Sequence, residues 1–318
     1  MPQNKTKVIS VVGPTASGKT ALAVSVAKDF HGEIISADSM QIYKGMDIAT
    51  AKPTAMEMCG IMHHLVDYVE PSESYSVARF VEDAKAAIEQ IVSHNKLPII
   101  AGGTGLYTDS FLDGISFAKA DTDLELRKNL VDKCENEGLD SLLQELEKID
   151  PDSYKRLSVE KNPKRIIRAL EIYYTTGITQ TEQNEISKGS PSEFLTTYIG
   201  LKFRDRQKLY DRINMRVDRM IEAGLLSEAE NFFASPLGNT SIQAIGYKEL
   251  KPYILGNVPL DECVETLKRS TRRYAKRQLT WFNRNERVNW FFVDDFESSQ
   301  ELYLSVQKFL INEGFEIT

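Results

Sequence analysis

Eight residues near the start of the chain have the pattern of a phosphate-binding loop. Residues 13–20 read GPTASGKT, a full match to GxxxxGK[ST]. They lie between a β-branched apolar segment at 8–12 and a helical apolar pattern at 20–30, the strand–loop–helix context that confirms the motif. In such a loop, backbone N–H groups surround a phosphate, Lys19 adds a positive charge, and the hydroxyl of Thr20 can hold Mg²⁺. The motif predicts binding of a diphosphate or triphosphate, without indicating which molecule carries it.

Polar side chains follow two further predicted strands. Asp38 comes just after a strand at 33–36, and Thr104 follows two glycines after a strand at 97–101. The carboxyl ends of parallel strands form the edge at which open α/β sheets bind ligands. There Asp38 could accept a proton from an attacking group, cap a short helix, or hold Mg²⁺ through water. Thr104 could contact a ligand or cap the helix that follows it.

Basic side chains are concentrated near the C-terminal end, although the chain has a formal net charge of -7. Residues 268–287 contain eight Lys or Arg residues, with Tyr274, Trp281 and Phe282 interleaved among them. This combination offers phosphate contacts and stacking surfaces, as nucleic-acid binding requires, but also suits a solvated helix face beside an aromatic stripe. A second basic cluster consists of Lys161, Lys164, Arg165 and Arg168. Two such clusters could close on one polyanion such as RNA.

The order of predicted elements indicates the fold. Strand, helix, strand, helix and strand alternate over the first third of the chain, which predicts an α/β fold of the P-loop NTPase type with a doubly wound parallel sheet. Strand patterns are absent from 121–183, where charged helical patterns predict a helical insertion domain at 121–194. The polar stretch at 185–193 is expected to be the linker back to the sheet. The core domain would then comprise 1–120 and 195–318.

A long helix predicted at 206–223 carries three arginines. Arg212 and Arg216 lie one turn apart, and Arg219 follows on the same helix. One or more of them could reach a diphosphate, although solvation at the surface is the commoner fate of helical arginines.

Cysteine and histidine positions argue against a metal centre. The three cysteines are far apart and odd in number, which is typical of reduced thiols in a cytosolic protein. The four histidines include one adjacent pair and no HxxxH pattern, so we expect no metal site built from them. Neither a secretory signal nor a membrane-spanning apolar run is visible. We therefore expect a cytoplasmic protein without a membrane partner.

Taken together, six motifs resemble those of the tRNA dimethylallyltransferase family. They are GPTASGKT at 13–20, DSMQIYKGMDIATAKP at 38–53, HHLVD at 63–67, GGTGLY at 102–107, GYKEL at 246–250 and KRQLTWF at 276–282. They cover nearly the whole chain in the expected order. No counterpart of the C-terminal zinc finger of eukaryotic members is visible, so the bacterial form is expected.

The resemblance implies an activity and a set of site residues. A dimethylallyl group would pass from dimethylallyl diphosphate to the exocyclic N6 amine of an adenosine adjacent to the anticodon in tRNA, with Mg²⁺ as cofactor and a monomer as the working form. Asp38 would be the general base and Thr104 would orient the adenine, which is flipped out of the loop. The diphosphate would be bound by Gly13, Thr15, Ala16, Ser17, Gly18, Lys19, Thr20 and Arg216, with Thr20 also on the metal. The tRNA would be contacted by Asp38, Ser39, Met40, Gln41, Thr104, Arg127, Lys164, Arg165, Arg168, Gln243, Gly246, Lys248, Lys276, Arg277, Gln278 and Trp281. The helical insertion would contact the anticodon stem-loop.

Other activities share part of this pattern. An adenylate isopentenyltransferase acting on free AMP has the front half of the motif set, and a small-molecule P-loop kinase would place ATP in the loop with Asp38 as base. The helical insertion and the basic segment 268–287 favour the tRNA enzyme over both. An RNA-binding module without activity is disfavoured because Lys19, Thr20 and Asp38 are all intact.

Overall fold

A computed structural model of the chain describes residues 5–115, 123–188 and 192–317. The chain divides into two compact units. The first consists of Met1–Leu112 together with Glu193–Thr318, and the second of Asp113–Ser192.

A six-stranded parallel sheet forms the centre of the first unit. Its strands, in chain order, are β1 (Thr6–Val12), β2 (Gly32–Ser36), β3 (His63–His64), β4 (Leu97–Gly102), β5 (Phe194–Lys202) and β6 (Val288–Phe292). Their order in space is β3-β2-β4-β1-β5-β6, and every pair is parallel. The chain builds outward in both directions from β1, so the predicted doubly wound α/β fold is confirmed. The order reverses beside β1, which is where open sheets of this type bind ligands.

Fourteen α-helices occur within the described residues. In chain order they are α1 (Lys19–Asp29), α2 (Ala55–Met58), α3 (Val77–Ser93), α4 (Gly105–Leu112), α5 (Leu124–Glu137), α6 (Leu139–Ile149), α7 (Pro151–Glu160), α8 (Pro163–Thr176), α9 (Gln180–Lys188), α10 (Arg206–Glu222), α11 (Leu225–Ala234), α12 (Tyr247–Ile254), α13 (Leu260–Phe282) and α14 (Ser299–Asn312). Helices α5–α9 belong to the second unit and the others to the first. Among the helices that the structure describes, none has the length and apolar character needed to cross a bilayer.

Apolar side chains on both faces of the sheet explain why these segments form buried strands. Val8 and Val12 of β1 point to one face, where they pack with α3, α4, α11, α12 and α13. Ile9 and Val11 point to the other face, where they pack with α1 and α14. Because successive side chains of a strand alternate between faces, a strand covered on both sides must be apolar throughout. Residues 8–12 satisfy that requirement except at Ser10, which is also buried.

The second unit is a helical bundle with its own apolar core. Leu130, Leu142, Leu157 and Leu170, from four different helices, are all nearly inaccessible to solvent and belong to one cluster. Asp150 links the start of α7 to the start of α9, because its carboxylate accepts hydrogen bonds from the backbone N–H of Ser153 at 3.1 Å and of Thr181 at 3.0 Å. The first of these bonds caps α7.

The linker predicted at 185–193 is wrong in its first part, because α9 extends to Lys188. Thr179 explains the start of this helix: its hydroxyl accepts from the N–H of Glu182 at 3.1 Å, and its own N–H donates to the Glu182 carboxylate at 2.8 Å. This reciprocal pair is a capping box. The polar composition that suggested a linker is equally compatible with a helix that is only partly buried. Residues 189–191 lie outside the described residues.

Candidate functional site

The loop 13–20 joins β1 to α1 in a conformation that needs residues without bulky side chains. Gly13 has φ +145° and Gly18 has φ +96°, both in the region that favours glycine. A Cβ on Gly13 would lie 2.5 Å from the carbonyl oxygen of Leu201 in β5. The loop therefore packs directly against the neighbouring strand, and α1 begins immediately after it, at Lys19.

Lys19 is held inside this loop. Its Nζ donates to the carbonyl oxygen of Pro14 at 2.7 Å. Burial, together with the positive charge of Arg216, lowers the pKa of Lys19 to about 7, although the negative charge of Asp38 opposes both effects. A phosphate in the loop would favour the protonated form of this lysine, because an opposite charge nearby stabilises the charged state.

Two arginines of α10 contact the same loop. The Arg216 Nη1 lies 3.4 Å from the hydroxyl oxygen of Thr15, and the Arg212 Nε donates to the carbonyl oxygen of Ala16 at 3.0 Å. Burial lowers the pKa of Arg216, while Asp38 and Glu57 raise it. Of the three arginines considered on this helix, the structure thus brings two against the loop, and their charges are available to an anion there.

Asp38 stabilises a turn rather than a helix. Its Oδ1 accepts from the N–H of Met40 at 2.9 Å and of Gln41 at 3.4 Å. Residues 39–42 form a turn and not the short helix that was one alternative for this aspartate. The carboxylate is partly accessible, so it remains near a ligand while its backbone bonds fix its orientation.

Thr104 joins the ends of β2 and β4. Its hydroxyl oxygen accepts from the N–H of Ser39 at 3.1 Å, and its own N–H donates to the carbonyl oxygen of Ala37 at 3.1 Å. The close approach depends on Gly102, where a Cβ would lie 2.2 Å from the same Ala37 oxygen. Thr104 therefore positions the turn that carries Asp38.

Helix α13 packs against both loops through two side chains predicted to contact tRNA. Gln278 accepts from the N–H of Thr15 at 2.8 Å and donates to the carbonyl oxygen of Gly103 at 3.0 Å. Trp281 Nε1 donates to the Asp109 carboxylate at 2.6 Å. Both side chains thus form bonds inside the protein, and their contact with tRNA stays a prediction.

These loops surround a cavity of about 260 Å³. A second cavity, of about 700 Å³, lies toward α1 and α10 and shares Lys19, Thr20 and Arg216 with the first. The predicted residues lining the first cavity are Thr15, Lys19, Thr20, Asp38, Ser39, Met40, Gln41, Arg216, Gln243, Gly246, Lys248, Arg277 and Gln278. Ala16 and Gly18 line the second, whereas Gly13, Ser17, Thr104, Lys276 and Trp281 line neither. Phosphate-binding groups and the Asp38 carboxylate therefore face one shared space.

Gln41 braces the segment that follows Asp38. Its Oε1 accepts from the hydroxyl of Ser36 at 3.1 Å, and its Nε2 donates to the carbonyl oxygens of Thr50 at 3.2 Å and Ala51 at 3.1 Å. The side chain folds the segment back on itself, and this brings Thr50 and Ala51 to the cavity wall.

Glu228 of α11 holds the same segment from the other side, and sequence reasoning missed it. Its carboxylate accepts from the N–H groups of Asp47 at 3.0 Å, Ile48 at 2.7 Å and Ala49 at 2.9 Å, and from the Tyr247 hydroxyl at 2.8 Å. A single glutamate on an amphipathic helix gives no local sequence signal of such a role. Only the tertiary structure shows it, because the fold brings α11 against a segment about 180 residues earlier in the chain.

Gly246 and Lys248 lie at the start of α12, beside this clamp. Gly246 has φ +117°, and a Cβ there would lie 2.9 Å from the Ala49 Cβ. The Nζ of Lys248 donates to the carbonyl oxygen of Gln243 at 3.4 Å. The GYKEL motif thus closes one side of the cavity by close backbone packing.

The remaining predicted tRNA contacts belong to the second unit. Arg127 on α5 and Arg168 on α8 both pair with the buried carboxylate of Glu171, at 3.5 and 3.4 Å. Arg165 pairs with Glu160, and Lys164 is exposed near the start of α8. These side chains form a basic surface within that unit. The buried Glu171 carboxylate orients the guanidinium groups of Arg127 and Arg168 in it.

Oxygen donors suited to Mg²⁺ line the first cavity. The part of the chain that the structure describes contains no group of three or more His, Cys, Asp and Glu side chains arranged for a metal ion. Mg²⁺ is commonly held by one or two protein oxygens together with substrate phosphates and water. Thr20 and Asp38 supply oxygens of that kind beside the phosphate-binding loop, so a bound diphosphate would complete the site.

Comparison with known proteins points to one family. The model of the family described as IPP transferase matches residues 41–285. The chain is 47% identical over 309 residues to a tRNA dimethylallyltransferase of Acetivibrio thermocellus, covering 96% of this chain and 98% of that protein. It is similar to the crystal structure of the full-length tRNA isopentenylpyrophosphate transferase from Bacillus halodurans, with TM-score 0.72 and 42% identity over 97% of this chain and 96% of that one. A eukaryotic dimethylallyltransferase acting on tRNA matches with TM-score 0.79 and 30% identity over 96% and 80% of the two chains.

Proposed function

This chain belongs to the IPP transferase family, and we propose that it is a tRNA dimethylallyltransferase. The reaction moves a dimethylallyl group from dimethylallyl diphosphate to the N6 amine of an adenosine adjacent to the anticodon. The bond between N6 and the allylic carbon forms while the bond from that carbon to the diphosphate oxygen breaks. The bonding electrons leave with diphosphate, and a proton leaves N6.

One observation carries this proposal: the phosphate-binding loop and Asp38 face the same cavity. A leaving diphosphate held by the loop and an amine held at Asp38 would therefore be close together. Holding two reactants in this way converts a bimolecular step into an effectively unimolecular one.

The residues of the phosphate-binding loop are suited to stabilise the departing diphosphate. Lys19 and Arg216 lie at the loop, and the backbone at 15–20 surrounds the place where phosphate oxygens would lie. Stabilising charge that develops on the leaving group lowers the barrier directly. Bound Mg²⁺, held through Thr20 and the diphosphate, would neutralise part of that charge. We expect EDTA to abolish transfer and added Mg²⁺ to restore it.

The Asp38 carboxylate is suited to activate the adenine N6 amine that accepts the dimethylallyl group. Adenine N6 is a weak nucleophile, so a carboxylate that accepts its proton assists attack. Thr104 would act through its bond to Ser39 and hold the turn that carries Asp38 beside the flipped adenine. A donor and an adenine bound together in the cavity would displace water, which would otherwise hydrolyse the donor.

Exposed basic side chains support tRNA as the acceptor. Lys276 and Arg277 lie exposed on α13, and Arg127, Lys164 and Arg168 are exposed in the second unit. We propose that these side chains contact phosphates of the anticodon stem-loop, since such contacts supply most of the affinity for a nucleic acid. Because the acceptor is tRNA, we place the enzyme in the cytoplasm, and we propose that it works as a monomer.

A three-way substrate test decides the activity. Labelled dimethylallyl diphosphate is supplied with tRNA in one reaction and with AMP in another, while a third contains ATP without a prenyl donor. We expect label in tRNA alone and no ATP turnover. Label in AMP would instead identify an adenylate isopentenyltransferase, and ATP turnover without a donor would identify a kinase.

A further inference from the structure

The amide of Gln278 is buried and uses both of its ends. Only 5% of this residue is accessible. Its Oε1 accepts from the Thr15 N–H at 2.8 Å, and its Nε2 donates to the Gly103 carbonyl oxygen at 3.0 Å. Leaving either partner unpaired in this buried place would cost free energy, so the side chain is held in one orientation.

The two bonds join different halves of the site. Thr15 belongs to the phosphate-binding loop after β1, while Gly103 precedes Thr104 in the turn after β4. The strands themselves pair only as far as Val12 and Gly102, so the ladder ends where these two loops begin. Beyond that point Gln278 bridges them, with one bond to each.

The backbone is shaped to admit this bridge. A Cβ on Gly103 would lie 2.0 Å from the Nε2 of Gln278, so any side chain there would displace the amide. One turn further along α13, a Cβ on Gly105 would lie 2.1 Å from the Trp281 ring. Two glycines of the GGTGLY motif thus allow α13 to pack directly on the turn that carries Thr104.

We propose that Gln278 is a positioning residue that sets the distance between the diphosphate held by the loop and the adenine held at Asp38, whose turn Thr104 positions. This inference rests on the proposed function. Gln278 acts through the backbone of Thr15 and Gly103, so its removal would separate the two halves without emptying either. A misplacement of about 1 Å between reacting groups can lower a rate by roughly 100-fold.

Loss of this bridge has a specific chemical consequence. When N6 is misplaced, water can attack the allylic carbon in its place. The water oxygen then bonds to carbon, the carbon–oxygen bond to diphosphate breaks, and diphosphate leaves with the electron pair. Diphosphate is then released without prenylation of tRNA. The ratio of diphosphate released to dimethylallyl groups transferred therefore reports on positioning, whereas a merely structural role would not change it.

The test compares Gln278→Met, Gln278→Glu and Gln307→Met. Methionine keeps the length of the side chain and removes both bonds, whereas glutamate keeps an acceptor for Thr15 and repels the Gly103 carbonyl. Gln307 on α14 is a matched control, because its amide also forms partly buried hydrogen bonds. Its Nε2 donates to the Asp29 carboxylate at 2.6 Å and to the Tyr303 hydroxyl at 3.2 Å. Its helix α14 contributes Leu302, Val306 and Leu310 to the apolar cluster on the face of the sheet with Ile9 and Val11, and no residue of α14 lines either cavity.

We expect Gln278→Met to lower kcat by up to roughly 100-fold, to raise the ratio of diphosphate to transfer above one, and to leave the Kd for tRNA unchanged. Gln278→Glu should show a smaller change in the same ratio, and Gln307→Met should keep the ratio at one even if its unfolding midpoint in urea falls. A raised Kd for tRNA with an unchanged ratio would overturn the inference and identify Gln278 as a tRNA contact. A ratio of one with kcat lowered only in proportion to the folded fraction would also overturn it. Absence of transfer to tRNA by the unmodified enzyme would refute the proposed function itself, which is a different outcome.

Discussion

Asp38 combines a structural contact with a negative charge that acts on its neighbours. Its Oδ1 orders a turn through two backbone N–H groups, and its negative charge acts on Lys19, Arg216 and Tyr274. For Tyr274, burial and that charge both raise the pKa, so this phenol stays neutral in the cavity wall. The base role of Asp38 itself remains a prediction.

We predict that Asp38→Asn abolishes most transfer while tRNA binding persists. Asparagine keeps an oxygen acceptor for the turn but cannot take a proton, and general-base assistance typically contributes about 10²- to 10⁴-fold. Single-turnover transfer and filter binding of labelled tRNA measure the two properties. Asp211→Asn, an exposed position on α10, is the control and should change neither. Full activity of Asp38→Asn would remove the residue from the base role.

A second prediction concerns Glu33, a buried carboxylate on β2 that accepts from Lys96 at 2.9 Å and lies 2.6 Å from His64 Nε2. Burial alone would raise its pKa, but Lys96 and His64 together lower the pKa from 4.5 to about 2. Because the folded-state pKa is depressed, the ionised carboxylate stabilises the fold above about pH 4.5. That contribution is lost as the pH falls toward 2.

We therefore expect Glu33→Gln to lower the free energy of unfolding by about 3 kcal/mol at pH 7, which is the order of magnitude of such a shift. Urea unfolding at a series of pH values should show the difference between the two proteins shrinking below pH 4.5. A difference that is constant down to pH 2.5 would contradict the assigned cause.

At the scale of elements, one helix residue organises a whole segment. Glu228 of α11 accepts from three successive backbone N–H groups and a tyrosine hydroxyl, which makes it comparable to an anion in a nest of donors. The segment it holds contributes Ala49 to the first cavity and Asp47 and Ile48 to the second. The wall of the site thus depends on a carboxylate that lines neither cavity.

We predict that Glu228→Gln lowers the free energy of unfolding by about 2 kcal/mol, because charge-assisted bonds are lost and an amide NH₂ meets backbone N–H donors. Hydrogen exchange at the amides of residues 47–49 should become faster, and transfer should slow. Glu230→Gln, exposed on the same helix, serves as the control. Unchanged exchange at those amides would show that the segment is held by other contacts.

Elements were predictable where the pattern is strong. Helical patterns at 77–93 and 124–137 predict two helices, and the structure has them as Val77–Ser93 and Leu124–Glu137, since one apolar face or a clear cap marks each helix. Short or polar elements were missed: β3 has two residues, and α7 is a mostly polar helix that begins at Pro151, directly after its N-cap Asp150. Neither the two-residue strand nor the exposed helix has an apolar period long enough to be recognised.

At the scale of the whole molecule, the distribution of charge matters more than its total. The chain has a formal net charge of -7, yet many of its exposed cations lie on α13 and in the second unit. A polyanion would therefore meet locally positive surfaces on a protein that is acidic as a whole. Local clusters of this kind steer and bind nucleic acid even when the net charge is unfavourable.

We predict that tRNA binding weakens steeply with ionic strength, by roughly 10³-fold between about 50 and 200 mM salt if six or more phosphates are contacted. Lys276→Ala and Arg277→Ala should each reduce the slope of log K against log salt by about one. Lys308→Ala, exposed on α14, should leave the slope unchanged. A flat dependence for the unmodified protein would contradict the assignment of these side chains to phosphates.

Local sequence alone determined the phosphate-binding loop, the parallel strands and the residue types at the sheet edge, because each depends on spacing over a few residues. The tertiary structure alone decided how these parts meet. Thr15 and Gln278 are 263 residues apart in the chain and 2.8 Å apart in space, and no period or motif records such a pairing. A segment read as tRNA-binding therefore also proves to hold the phosphate-binding loop against the turn of Thr104. Contacts between distant segments arise only when burial of apolar surface brings the elements together, and they set the geometry in which the chemistry takes place.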